Sequence, residues 1–358
     1  MDKYWIAFSA IEQVDSPFVQ RLYNYFGDIE TAYKATLADL SQIDGLSIKK
    51  SEKFIENRNK LDIEKTLDEV LKIKFYTFET PNYPELLKEI SDPPSVLYYK
   101  GNSDLCNFKK TLAIVGSRKA SYNARDAVEK IISELSGTDI CIVSGLASGI
   151  DTSAHTSALK HDLKTIGVIA SGFDYVYPAS NRSLYEQIEN GGGLVVSEYY
   201  PTFEPLKFRF PQRNRIVSGL SYGTLVAEAS LRSGALITAN LTLEQGRELM
   251  CIPGLISNPN TEGIYKLLKN GATLVTCAND ILEALNWEVK PAKQLKINLS
   301  DLNEIEQKIL SAIEIEEKGF DEIASITKIN TNDLLINLTT MELKGIIKQT
   351  AGDRYKKI

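Results

Sequence analysis

The chain has 358 residues, 43% hydrophobic and 25% charged, with 47 acidic against 41 basic side chains and a formal net charge of −6. Such a composition belongs to a globular protein of two or three domains; its acidity excludes wholesale coating of a polyanion but leaves room for a local basic groove. Four dispersed cysteines (Cys106, Cys141, Cys251 and Cys277), no CxxC pair and two histidines exclude a disulfide scaffold, so neither a metal nor a cofactor is expected.

The opening "MDKYWIAFSAIEQVD" lacks the apolar run of a signal peptide or membrane span, which predicts a cytoplasmic protein with no membrane partner. Residues 1–80 read as short helices broken by Gly45 in "IDGLS". Two readings fit that spacing: a helix-hairpin-helix (SAM-like) unit that binds phosphates through turn amides, or a plain helical packing domain. The Pro-rich stretch "TPNYPELLKEISDPPSVLYYKGN" reads as an ordered connector, since each Pro blocks helix continuation.

From Thr111 the pattern changes. "TLAIVG" (111–116), "CIVSG" (141–145), "TIGVIASG" (165–172), "LVVSE" (194–198), "GTLVAEA" (223–229) and "LMCIPG" (249–254) are apolar runs that alternate with amphipathic helical stretches. That alternation predicts an α/β fold, a Rossmann-like doubly wound domain within 81–290. After a polar linker, residues 296–358 show three helical patterns and a hairpin signal around Gly352-Asp353, the outline of a winged helix. Leu302, Ile305, Ile309 and Ile313 line the first helix, Phe320, Ile323 and Ile326 the second, and Leu334, Leu335, Leu338 and Met341 the third. Asp333, Glu342 and few cations make that third helix a poor surface for a DNA groove.

Ligands of doubly wound sheets bind beyond the carboxyl ends of the strands. Here the first strand ends in "GSR": Gly116 permits a tight turn, Ser117 can cap and Arg118 projects a cation. The next ends in "SGLASGID", with Ser144, Gly145 and Gly149; "ASGFDYVYP" brings Gly172, and "LRSGALITA" brings Ser233 and Gly234. Each joins Gly, Ser or Thr to a helix start, the composition of an anion site. "KFRFPQRNR" (207–215) adds Lys207, Arg209, Arg213 and Arg215 with Phe208 and Phe210, and no acid. It reads either as a solvated loop or as one wall of a groove for single-stranded nucleic acid, where cations track phosphates and rings take bases.

No GxGxxG follows the first strand, and GxxxxGK[ST] is missing, so the dinucleotide and triphosphate fingerprints are absent. His155 lies at apolar helical spacing, which fits packing better than catalysis. Asp174, Glu198 and Glu228 pair in sequence with no evident nucleophile. No catalytic residue is assigned, and a non-enzymatic binder is expected.

At these motifs the chain resembles the DNA-processing protein A family (DprA, also called Smf). The resemblance runs from about Pro84 to Leu285 through "AIVGSR", "VSGLASGIDTSAHTSAL", "TIGVIASGFDYVYPASN", "VVSEY", "FRFPQRNRIVSGLS" and "VAEASLRSGALITANLTLEQGRE". It implies an extended Rossmann domain that binds single-stranded DNA without sequence specificity, protects incoming DNA in natural transformation and helps load the RecA recombinase. It further implies a homodimer, with helical N-terminal and winged-helix C-terminal accessories. By the same resemblance Arg118 is the main phosphate-binding arginine, Gly145, Gly149 and Gly172 border its pocket, and Arg213, Asn214 and Arg215 lie at the rim. One departure stands out: where some members carry a pocket lysine after "YP", this chain has Ala179, so either Arg182 or Lys207 would supply the charge. The alternative reading is a nucleotide-cleaving phosphoribohydrolase of the lysine-decarboxylase-like Rossmann type. Its "PGGxGT" signature is missing, and "SYGTLVAEASLRSGALITA" keeps only the Gly-Thr and a glutamate.

Overall fold

The computed structural model describes residues 2–288, 302–313, 316–343, 346–350 and 354–357. They form two compact units, Met1–Ala292 and Lys293–Ile358.

The first unit begins with six helices: α1 (Asp2–Ser9), α2 (Ser16–Phe26), α3 (Ile29–Lys34), α4 (Leu37–Leu40), α5 (Ile48–Lys60) and α6 (Ile63–Val70). Side chains of Asp15, Asp28, Thr36 and Asp62 accept backbone N–H groups at four of the helix starts, so local capping sets these short elements. Gly45 does turn the chain between α4 and α5, at φ 70°, where only a residue without Cβ is unstrained. The Arg21 guanidinium donates to the Gly45 carbonyl at 2.6 Å and closes that turn.

These helices share an apolar core with the sheet domain: Trp5, Phe8 and Phe54 belong to one buried cluster with Val96, Tyr98, Ile169 and Tyr200. Polar contacts stitch the same seam. Ser9 and Tyr98 hydroxyls meet at 2.7 Å, and the Tyr200 hydroxyl donates to Glu69 at 2.8 Å. The helical segment is therefore a layer of the larger unit, and the division falls after Ala292.

The chain then runs through β1 (Lys74–Thr77), α7 (Glu85–Lys88), β2 (Val96–Gly101), β3 (Thr111–Val115), α8 (Tyr122–Glu134), β4 (Cys141–Ser144), α9 (Ile150–Lys160) and β5 (Lys164–Val168). It continues with α10 (Arg182–Asn190), β6 (Leu194–Ser197), α11 (Arg209–Gly219), β7 (Gly223–Val226), α12 (Ala235–Glu244), β8 (Glu248–Cys251), α13 (Glu262–Lys269), β9 (Thr273–Leu274) and α14 (Ala278–Ala284). Their sheet has the order β1-β2-β6-β5-β4-β3-β7-β8-β9. Strands β3 to β9 pair in parallel, while β1 and β2 add an antiparallel edge against β6. Every residue of β3, β4, β6 and β7 is buried, which is why these strands read as unbroken apolar runs. The Pro-rich segment was expected only as a connector, but its end, "VLYYKG", is strand β2. Pro93 and Pro94 stop just short of it, so every N–H of the strand can enter the ladder.

The second unit holds α15 (Glu304–Ala312), β10 (Lys318–Gly319), α16 (Phe320–Thr327), α17 (Thr331–Leu343), β11 (Ile347–Thr350) and β12 (Arg354–Lys357), with an antiparallel sheet ordered β10-β12-β11. This is the winged-helix arrangement of three helices and a hairpin; the expected Gly352-Asp353 turn lies outside the described residues. Ile309, Ile323, Leu334, Leu338 and Met341 fill its core, as their spacing predicts. Ile326 and Leu335, expected there too, are 55% and 54% exposed. Leu335 follows the core residue Leu334 directly, and neighbours on a helix point about 100° apart. Among the described residues no helix is long and apolar enough to cross a membrane, and no cluster of three or more His, Cys, Asp or Glu could hold a metal ion.

Candidate nucleic-acid interface

Strand order changes direction around β3: its neighbours are β4 on one side and β7 on the other. Loops leaving the carboxyl ends of β3, β4 and β7 meet there, the crevice in which open α/β sheets bind ligands. A cleft of about 670 Å³ occupies this position.

Three loops and one helix wall it. Gly116, Ser117, Arg118 and Lys119 come from the loop after β3, Gly145 and Ala147 from that after β4, and Ser233 and Gly234 from the start of α12. Lys207, Phe210, Arg213 and Asn214 come from the 207–215 stretch, most of which is α11. Nine of the sequence-predicted residues thus share one cavity: Gly116, Ser117, Arg118, Gly145, Lys207, Arg213, Asn214, Ser233 and Gly234.

Backbone packing fixes the loops. Ser117 N–H donates to the Glu228 carbonyl at 2.8 Å, and the Ser117 carbonyl accepts from Ile150 N–H at 3.1 Å. Gly149, at φ 83°, lies so close under Ser117 and Arg118 that any Cβ would collide with their backbone. Gly145 lacks a side chain for a different reason: a Cβ would come within 2.6 Å of both Arg213 and Asp151. Asp151 accepts from Ala147 N–H at 3.3 Å and so holds the "GLASG" loop; burial pushes its carboxyl pKa up, against the pull of Arg213. Buried Glu228 ties two more loops, accepting from Ser121 N–H at 3.0 Å and Asn258 Nδ2 at 3.2 Å. That glutamate links loops.

Arg118 stands exposed at the mouth. Its guanidinium lies 5.0 Å from the Phe210 ring centroid, and Phe210 meets Tyr177 edge-to-face at 5.3 Å. Cation and rings form one ladder, with Tyr177 on the outside at 53% exposure. Phe210 was expected only as one of the two rings of the 207–215 wall, and Tyr177 was not expected at all. The signal was present for one of them, since Phe210 sits inside the basic stretch; Tyr177 is 33 positions from it and carried none.

Arg213 forms the buried floor of the cleft, where it donates to the carbonyls of Gly145, at 2.5 Å, and Val168. Other expected residues lie elsewhere. Arg215 faces the opposite flank of α11 in a bidentate pair with Glu198 at 2.6 and 2.7 Å, and its Nε lies 2.9 Å from an Asp92 carboxylate oxygen. Phe208 points to that flank too. The Ser144 hydroxyl donates to the Ile114 carbonyl at 2.6 Å inside the sheet. Gly172 is packed against the carbonyls of Tyr200 and Pro201, and Arg182 is exposed on α10; neither lines the cleft. Of the two candidates for the missing lysine charge, Lys207 is the one in the cavity.

His155 is buried, and its Nδ1 meets the Thr165 hydroxyl at 2.7 Å. That hydroxyl donates to the Ile142 carbonyl at 2.9 Å, so Nδ1 carries the proton and donates to Thr165. Burial, with the nearby Arg213, pushes the imidazole pKa down to about 3 from an ordinary 6.5. The folded state then refuses a proton that the unfolded chain accepts, so this group's stabilisation is complete above pH 6.5 and is lost as pH falls toward 3. Between those limits its contribution should change by about 1.4 kcal/mol per pH unit. Chemical denaturation at pH 7 and pH 5 should show His155→Gln losing part of that pH dependence; identical pH slopes would refute the assignment.

Comparison with known proteins places this architecture. The model of the DNA recombination-mediator protein A family matches residues 74–286. The chain belongs to that family. It is 33% identical to Protein Smf of Synechocystis over 99% of this chain and 98% of that one. It is 44% identical to DNA processing protein DprA of Streptococcus pneumoniae over 69% of this chain and 86% of the relative. The X-ray structure of the S. pneumoniae protein superposes with a TM-score of 0.70 at 38% identity, covering 79% of this chain and 98% of that one. A Helicobacter pylori DNA processing protein A, solved to describe its single-stranded DNA binding mode, matches with a TM-score of 0.54 at 29% identity, over 60% of this chain and 96% of that one.

Proposed function

We propose that the cleft binds single-stranded DNA without sequence preference, Arg118 holding a phosphate and the Tyr177–Phe210 pair receiving a base. One observation carries the reading: a cation stacked on one ring, Phe210, which in turn meets Tyr177 edge-to-face, stands over loops rich in Gly and Ser, in a protein that is otherwise acidic. Phosphates need cations and uncovered amides; bases need flat apolar faces; a single strand offers both at once. Lys119 and Lys207 add positive charge to the cleft lining. As part of this reading the role is binding and not turnover. As parts of the same reading, the protein acts in the cytoplasm as a homodimer, shields incoming strands during natural transformation and hands them to the RecA recombinase.

Oligo-dT of about 20 nucleotides should bind far more tightly than the matching duplex, because stacking needs exposed base faces. Log affinity should fall with log salt at about −0.7 per phosphate neutralised. Fluorescence anisotropy at two salt concentrations measures both. Equal affinity for the two forms, or none that depends on salt, would rule the reading out.

A further inference from the structure

Helix α11 has a second cavity on its other flank. About 450 Å³ in volume, it lies between α11 and the turn from α1 to α2, with Asp92, Glu198 and Arg215 among its lining residues and Val14, Pro17, Phe203 and Phe208 as apolar walls. Its charge is opposite to that of the DNA cleft: the carboxylates of Glu12, Asp15, Asp92 and Glu198 face the guanidinium groups of Arg209 and Arg215 alone. Asp15 is already paired, with Lys50 at 2.8 Å. Arg215 serves two carboxylates, Glu198 at 2.6 Å and Asp92 at 2.9 Å, so their cluster keeps one negative charge in excess. Glu12 adds a second, exposed carboxylate, and Arg209 offsets one of the two, so the lining keeps one negative charge in excess. In a partly dry cavity such a charge acts over a longer range than it would in water.

The rings give an independent indication. The Arg209 guanidinium lies 4.7 Å from the Phe203 centroid, 5.1 Å from Tyr199 and 5.7 Å from Phe208. This aromatic set therefore already accommodates a guanidinium. Phe208 remains 59% exposed and Leu206 38%, both on the cavity wall. Exposed apolar groups beside a surplus carboxylate match a ligand that is cationic at its tip and apolar along its stem.

We propose that this cavity docks a basic, apolar-flanked segment of a protein partner, with an arginine or lysine side chain passing over Phe208 toward Glu198 and Asp92. A free polyamine would satisfy the charge but leave Phe208 and Leu206 in water, which favours the peptide. The proposal does not depend on DNA binding, because the two cavities flank α11 on different sides.

The test uses the full chain and a fluorescein-labelled nonapeptide of alternating arginine and leucine, followed by anisotropy at low salt. Binding should saturate. Phe208→Ala should weaken it by about tenfold and Glu12→Gln by about threefold, the effects of losing a ring under a cation and of losing one charge. Glu262→Gln, an exposed acid on α13 outside the cavity, should bind as the parent does. Both cavity positions are exposed, so thermal melting should confirm that the variants remain folded. No saturable binding, equal affinity in all four proteins, or displacement of the peptide by spermidine at matched charge would overturn the proposal.

Discussion

Arg118→Ala should weaken binding of an oligo-dT of about 20 nucleotides by roughly ten- to a hundred-fold. The side chain leaves a buried strand through the Gly116 turn and rests on Phe210 at 5.0 Å, so little freedom remains to be lost when a phosphate arrives. A charge-assisted contact of this kind contributes about 1.5–3 kcal/mol, and each 1.4 kcal/mol is tenfold in affinity. Arg118→Lys should recover only part of the loss, because an ammonium lacks the planar fork. Lys119→Ala removes a cleft cation that is not the one stacked on Phe210, and should cost about threefold or less. Lys130→Ala, on an exposed face of α8 and paired with Glu134, should cost nothing. Titration of the four variants checks this. Full affinity in Arg118→Ala would mean that the strand runs elsewhere, and unfolding of that variant would make the residue structural.

The largest effect on stability belongs to Arg215. Its guanidinium is buried among Glu198, Asp92 and the carbonyls of Asp92 and Gln212. Removing one partner of such a buried pair leaves the other's charge uncompensated, at a cost of about 3–5 kcal/mol. Arg215→Ala and Glu198→Ala should each lower the melting temperature by roughly 4–8 °C at this chain size. Combining Arg215→Met with Glu198→Leu should restore part of the loss, because only the half-buried Asp92 carboxylate is then left without its partner. Calorimetry distinguishes the cases; melting within 2 °C of the parent for Arg215→Ala would show that the network is not a main support of the fold.

How far these features could be read from sequence depended on whether their causes were local. Strands β3 to β8 were legible because burial on both faces makes an uninterrupted apolar run, and the loops at Gly116, Gly145 and Gly149 were legible because a Cβ there would collide with packed neighbours. Strand β2 escaped because the prolines before it mark a break in structure, whereas the sheet uses the residues just after them. The role of Arg215 was hidden for another reason. Basic residues spaced along nine positions look like one surface, but in a helix Arg213 and Arg215 point about 200° apart. The acids that bury Arg215 are Glu198, 17 positions away, and Asp92, 123 away, a separation no local window covers. Tyr177 was missed likewise, since it joins the Arg118 ladder only when α11 is folded against the loop after β5.

The most direct test is to map where a bound strand touches. An oligonucleotide carrying 5-bromodeoxyuridine, irradiated in complex with the full chain, crosslinks to aromatic side chains in van der Waals contact with its bases. The peptides recovered by mass spectrometry should contain Tyr177 or Phe210, and the yield should collapse with Arg118→Ala, which releases the phosphate next to them. Crosslinks confined to residues 331–357, the third helix and wing of the C-terminal unit, with none at Tyr177 or Phe210, would contradict the assignment of the cleft.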